Sequence, residues 1–256
     1  MENKWATLLQ EAVSKPGLIN RAYSLFHNYS IGNQVAAMVQ CAERGIDPGP
    51  INTYPGWQKL GRQVCKGQRA IWLCMPLTFK RERQSADGRE TEAYEVLTGF
   101  KWKPNWFVLS QTDGEPMQMP PIPEWSKDKA LTGLDIKQVP FTMTNGNVQG
   151  YARKREIAIS PLCTDPDKTL FHELAHVVLG HTAEAEFNDS EAMPRKLEEA
   201  EAECTALLLT ESLGLPGAEY CRGYIQNWLA GDTIPERSAQ RIFHAADRIL
   251  KAGRIQ

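Results

Sequence analysis

Three of the chain's five histidines lie in the ten-residue run from His172 to His181, and the first two are spaced H-E-x-x-H. That spacing constrains the local fold. Residues four apart share a helix face one turn apart, so the imidazoles of His172 and His176 meet on one cation if Thr169 to Gly180 is helical. Glu173 would then stand beside a water on that cation. This is the layout of a hydrolytic zinc site, in which the ion acidifies the water and the glutamate takes its proton. Leu170, Phe171, Leu174, Ala175, Val177, Val178 and Leu179 predict a buried helix whose polar groups need a partner, which favours a metal over two histidines that share a helix by chance.

Two histidines leave a ligand missing. A metzincin would supply a histidine six residues after the second one, but that position is Thr182, and His181 comes one residue early. The third ligand is therefore expected from a later helix, where Glu198 to Leu209 is rich in Ala, Glu and Leu. Glu199 and Glu203 are one turn apart beside Ala200, Ala202 and Ala206, small residues that allow close helix approach. Glu199 is the expected ligand and Glu203 the carboxylate that orients a ligand histidine, with Glu203 the rival for the metal itself. Glu198 and Glu201 read as solvated, His181 as a cap for the helix end after Gly180, and His27 and His244 as structural histidines.

At 256 residues the chain can bury one large core or two modest ones. It begins with an amphipathic stretch, and no apolar run approaches a membrane span, so the expectation is a soluble cytoplasmic protein with no membrane partner. The cysteines at 41, 65, 74, 163, 204 and 221 form no C-x-x-C pair and read as reduced thiols. The near-neutral total hides an asymmetry: 14 Lys and Arg against 9 Asp and Glu through Ser110, then 15 against 22 beyond it. The basic half is the candidate for a polyanionic partner.

Four prolines between Glu115 and Pro123 predict an extended linker. The expected architecture is α+β in two domains, 1–112 and 131–256, joined by a Pro-rich linker over 113–130. In the first domain, Asn20 to Ala42 reads as one helix, Gly56 to Val64 as a short helix, and 69–77 and 93–103 as strands around a loop at 80–92. In the second, 137–142 and 150–160 read as strands with a turn at 144–147. The metal-motif helix then starts near Asp165 or Asp167, and helices follow around 194–213, 218–230 and 235–252.

Within the basic half, Trp57 to Arg69 places Lys59, Arg62, Lys66 and Arg69 near an indole, while Tyr23, Tyr29, Tyr54, Trp72, Trp102 and Trp106 add flat surfaces. Cations along a phosphate backbone and aromatics under the bases are what sequence-tolerant single-strand binding requires. Tryptophans at strand positions serve the core more often, and composition alone leaves both readings open.

The runs Tyr29-Ser30-Ile31-Gly32-Asn33-Gln34 and Trp57-Gln58-Lys59-Leu60-Gly61-Arg62-Gln63-Val64-Cys65-Lys66-Gly67, with His172 to His176, Glu199 to Glu203 and Tyr220 to Leu229, resemble the ArdC-type antirestriction proteins. The resemblance implies an N-terminal single-stranded-DNA-binding domain and a C-terminal zincin-like metallopeptidase domain whose metal site is similar to that of the ImmA/IrrE peptidases. It implies His172, His176 and Glu199 as ligands to Zn2+ or another divalent transition metal, Glu173 as general base, and DNA contacts from the region of Asn33, Gln34, Trp57, Arg62 and Lys66. Cys65 stands where a charged residue is frequent, which would weaken one phosphate contact. The expected function is protection of incoming mobile DNA, such as a conjugative plasmid, from host restriction, with a protein or peptide substrate for the metal site. The alternatives are protection by DNA occupancy alone with a structural metal, and a regulatory peptidase of the ImmA/IrrE kind.

Overall fold

The computed structural model describes residues 4–84, 91–144, 147–182, 195–229 and 232–255. It is a mixed helix and sheet protein with two compact units, one formed by residues 1–39 with 118–256 and the other by 40–117. The expected boundaries at 112 and 131 are therefore redrawn, because the N-terminal helices belong to the same unit as the C-terminal ones.

Helix termini explain this. The first backbone N–H groups of a helix lack intrahelical acceptors and carry partial positive charge, so a carboxylate docks there. Helix α1 (Trp5–Ser14) donates from the Trp5 and Ala6 amides to the two Glu236 oxygens at 2.9 and 2.8 Å. Helix α2 (Leu18–Phe26) donates from Ile19 to Glu211 Oε1 at 3.2 Å. Helix α3 (Ile31–Arg44) donates from Ile31 to Asp247 Oδ1, also at 3.2 Å. All three carboxylates lie far along the chain. The last bond also accounts for the break in the single helix expected over 20–42, since α3 starts afresh after Ser30. Packing reinforces it: a Cβ on Gly32 would stand 2.5 Å from Trp5 Cζ3, so only glycine admits this approach.

The rest of this unit builds the site. Helix α5 (Lys127–Leu134), which the sequence reading missed, is capped by Ser126. A three-stranded sheet has the order β6-β8-β7, with β6 (Lys137–Gln138) parallel and β7 (Gly150–Arg153) antiparallel to β8 (Glu156–Ile159). The strand expected over 150–160 is thus a hairpin, turning at Lys154, whose φ of 53° no Gly or Asn advertises. Of the turn expected at 144–147, Asn145 and Gly146 lie outside the described residues. Helix α6 (Pro166–Leu179) begins after Asp165 with proline at its first position and ends at Gly180 in the left-handed conformation, φ 83°. Helices α7 (Arg195–Ser212), α8 (Ala218–Leu229) and α9 (Glu236–Gly253) follow close to expectation. The core is apolar α6 packed on α7, where Ala200, Ala202 and Ala206 are fully buried.

The second unit is mainly β. Strand β3 (Ile71–Gln84) pairs with β4 (Thr91–Val108), which pairs in turn with β1 (Ile51–Thr53). The strands extend well into the span expected as loop, of which 85–90 lie outside the described residues. The short helix expected at 56–64 is α4 (Tyr54–Lys59), after which β2 (Arg62–Val64) pairs with β5 (Thr112–Gly114). None of the described helices is long and apolar enough to cross a membrane.

Replacing Glu236 with Ala removes both acceptors at the start of α1 and should cost about 1–2 kcal/mol, as loss of a helix N-cap does. Equilibrium unfolding in denaturant checks this, and an unchanged midpoint would show that Glu236 does not dock the helix.

Candidate metal centre

On α6, one helical turn separates His172 from His176, and both rings turn toward α7. Their Nε2 atoms are 3.1 Å apart, and Glu199 Oε2 lies 3.4 Å from the first and 3.6 Å from the second. These side chains are 14–19% exposed, so the cluster is sunken yet open on one side. Two ligands bound at about 2.0–2.1 Å in tetrahedral geometry stand about 3.3 Å apart. The three atoms meet that spacing, and their types, two imidazole nitrogens and a carboxylate oxygen, suit a borderline transition-metal ion. Among the described residues they form the group whose donor atoms can share one cation.

Glu203, one turn beyond Glu199, is 2% exposed and holds its Oε2 2.8 Å from His172 Nδ1, a close approach rather than an aligned hydrogen bond. Its other oxygen is 2.9 Å from Lys168 Nζ, which also sits 4.7 Å above the Tyr224 ring. Already balanced by a cation and turned to the far side of His172, Glu203 supports the site and Glu199 reaches the convergence point.

Glu173 is buried beside the cluster, and β7 closes over it: a Cβ on Gly150 would stand 3.0 Å from Glu173 Oε1 and 2.7 Å from Thr169 Cγ2. Burial, with Glu199 and Glu203 adding to it against His172 and Lys168, pushes its pKa up to about 7. For His172, burial opposes charge, but Glu199, Glu203 and Glu173 outweigh it and raise the pKa to about 9. Hydrogen bonds from His172 and His176 hold Glu199 well below the usual carboxylate range. Burial opposes ionisation of Glu203, yet His172 and Lys168 win and lower its pKa.

Two expectations fail. Glu201 is fully buried rather than solvated, and the His181 side chain does not cap α6, whose final amides already bond to Val177 O and His176 O. Instead His181 Nδ1 meets His176 Nδ1 at 3.0 Å, and His181 Nε2 meets Glu201 Oε2 at 3.0 Å. One sequence cue was available: apart from Glu201, Glu203 and Thr205, every residue from Ala200 to Leu209 is apolar, which leaves little solvated surface around Glu201.

The second unit divides the proposed DNA residues. Trp57 is fully buried and its indole N–H donates to Phe107 O at 2.9 Å. The Arg62 guanidinium bonds Thr112 Oγ1 and Thr112 O at 2.8 Å, Gly114 O at 3.1 Å and Glu115 O, tying β2 to β5. Asn33 and Gln34, on the part of α3 that belongs to the first unit, are buried, and Gln34 holds Tyr29 O. These four are therefore placed to hold the fold, whereas Lys59, Lys66 and Arg69 are exposed. Cys65 donates to Asp113. The register Trp72↔Pro104, Cys74↔Trp102, Pro76↔Phe100 puts Trp72, Phe100 and Trp102 on one ribbon face, with Trp72 42% and Phe100 65% exposed.

Comparison with known proteins gives a consistent picture. Residues 2–101 match the family model described as the N-terminal domain of anti-restriction factor ArdC. No curated protein matches the chain. Among solved structures, the metal-free crystal structure of the antirestriction ArdC protein from R388 plasmid is similar to it, with 22% identity over 97% of this chain and 94% of that chain and a TM-score of 0.53. The Mn(II)-bound structure of the same R388 plasmid protein gives 20% identity, 97% of each chain and a TM-score of 0.54.

The proton-linked groups fix a sign for pH. His172, raised from its ordinary 6.5 to about 9, contributes stability that is complete below 6.5 and lost as pH rises through 9. Glu173, raised from 4.5 to about 7, escapes its burial penalty below 4.5 and incurs it as pH rises through 7. The metal-free chain should therefore melt at a lower temperature near pH 9 than near pH 6. A divalent cation held by these three atoms would displace the His172 proton, so its apparent affinity should rise over the same interval. Melting curves with chelator, and metal titrations across this range, check both slopes.

Proposed function

We propose that this chain, which is ArdC-type in its N-terminal domain and in its fold, acts in antirestriction through a divalent-metal peptidase-like site in one unit and a surface for single-stranded DNA in the other. The observation that carries the reading is the convergence of His172 Nε2, His176 Nε2 and Glu199 Oε2 beside a carboxyl group, Glu173, whose pKa is pushed up to about 7. The Mn(II)-bound similar protein supports a divalent ion, and the donor set suits Zn2+ equally.

A cation held by the three ligands supplies Lewis acidity for a peptide carbonyl and lowers the pKa of a water in the open position. The chain's own residues do the remaining work. Glu173, buried beside the cluster, would take a proton from water and return it to the departing amine. Lys168 and Glu203 hold His172 from behind. Strand β7 pairs with β8 on one side only among the described strands, and its Gly150 end lies against Glu173, so an extended peptide added along its outer edge would pass the general base. Replacing Glu173 with Gln keeps the shape and the ligands but removes the base. Peptide cleavage should fall at least 1000-fold while metal and oligonucleotide binding stay unchanged; cleavage at the original rate would end the assignment.

For DNA, support comes from the exposed ribbon face of Trp72, Phe100 and Trp102, with Lys59, Lys66 and Arg69 as the solvent-facing cations of the same unit. Bases stack on such a face and phosphates meet such cations. The Trp72→Ala, Phe100→Ala double variant should bind a single-stranded oligonucleotide at least roughly 30-fold more weakly, given about 1–3 kcal/mol for each of two stacked bases. Lys66→Ala with Arg69→Ala should instead flatten the salt dependence of log K by about 1.4, the slope for two phosphates on a single strand. Oligonucleotide titrations at several salt concentrations separate the two effects, and intact binding in both variants would exclude this surface.

A further inference from the structure

The two histidine ligands are supported unequally from behind. His172 has Glu203 at 2.8 Å off the hydrogen-bond direction, whereas His176 has an aligned chain: His176 Nδ1 to His181 Nδ1 at 3.0 Å, then His181 Nε2 to Glu201 Oε2 at 3.0 Å. The chain is deeply buried, His181 being 4% and Glu201 0% exposed. Arg241 of α9 lies at its end, its Nη2 3.5 Å from Glu201 Oε2 and donating to Leu179 O at 2.7 Å. A residue just past the end of a helix thus reaches back directly to a ligand of that helix and is held in turn by an acid from α7.

We infer that His181 is a positioning residue for the metal centre, which fixes the tautomer and ring plane of His176 by accepting its Nδ1 proton and is itself held by Glu201. The chemistry allows one assignment of protons. A neutral imidazole that binds metal through Nε2 keeps its proton on Nδ1. The partner nitrogen, His181 Nδ1, must then accept, which leaves the His181 proton on Nε2, facing a carboxylate oxygen that accepts it. Each donor in the row meets one acceptor, and the negative end sits two rings away from the ligand atom. A ligand histidine is ordinarily held by a carboxylate, carbonyl or water. Here a second imidazole stands between the ligand and the acid.

The inference rests on the metal reading above, and the test separates the two. His181→Asn leaves an amide oxygen near the place of Nδ1 and preserves the acceptor for His176. His181→Gln leaves an amide N–H near the place of Nε2 and preserves only the donor for Glu201. His181→Leu removes both. In titrations of the whole chain with Mn(II) and with Co(II), followed for Co(II) by its visible absorption bands, His181→Leu should bind roughly 10- to 100-fold more weakly with shifted bands. His181→Asn should recover most of the affinity and the wild-type bands. His181→Gln should recover the melting temperature of the metal-free protein but not the affinity. Wild-type affinity and bands in His181→Leu, or affinity in His181→Gln that matches or exceeds His181→Asn, would overturn the inference while the metal site stands. Failure of the wild-type chain to bind either ion would overturn both. If His181→Leu does not fold, the order of the Asn and Gln variants decides.

Discussion

Helix α7 carries four carboxylates into the interior, and burial of an uncompensated charge is among the largest penalties a fold can meet. Each of the four finds its compensation on another element. Glu199 faces His172 and His176 of α6, and Glu203 faces Lys168 and His172 of the same helix. Glu201 meets His181, just past the end of α6, and Arg241 of α9. Glu211 pairs with Arg222 of α8 and accepts the Ile19 amide at the start of α2. The placement of α2, α6, α8 and α9 around α7 is thus fixed by charge as well as by apolar packing. Only Glu199 stays appreciably open, at 19%, which leaves it available to a ligand.

The same pairing of acid with electropositive backbone draws in the start of the chain. Glu236, Asp247 and Glu211 each receive the first amides of a different N-terminal helix. Three caps of about 1 kcal/mol each are modest singly, but they select one docking arrangement, because a helix has one positive end. Residues more than 190 positions from their partners in sequence therefore join the unit that contains the site. The unit boundary falls inside α3, and no change of composition along the chain marks it.

The legible parts of the fold were those set by local periodicity or local chemistry. The α6 motif, its Asp165-Pro166 start, its Gly180 stop and the i, i+4 pair of glutamates on α7 can all be read within one or two turns. The illegible parts depend on partners distant in sequence. Glu201 resembles a solvated glutamate until His181 and Arg241 are brought to it. The hairpin at Lys154 and Arg155 lacks the Gly or Asn that usually announces such a turn. The Ser-x-x-Asn-Gln and Trp-x-x-Leu-Gly patterns teach a further lesson. They carry the resemblance of the first half, yet Gln34, Trp57 and Arg62 spend their polar groups on the backbone of their own fold. A motif can hold a scaffold, while solvent-exposed cations and aromatics such as Lys66 and Trp72 are the groups placed to meet a partner.

Glu199 and Glu203 show how one helix gives chemically identical groups different work. They are one turn apart and both touch His172, but Lys168 stands against Glu203 and not against Glu199. With its charge answered and its side chain sealed at 2% exposure, Glu203 acts on the imidazole rather than on an ion. Glu199 depends on the histidines for its compensation, and in the metal-free chain a proton on His172, with its pKa near 9, provides part of it. A divalent cation that replaced this proton would bring greater positive charge to the same point. It should therefore stabilise Glu199 further and lower the proton affinity of Glu173 beside it. Cation and proton would then compete for one arrangement of acids, and the basicity of Glu173 would follow the occupancy of the site.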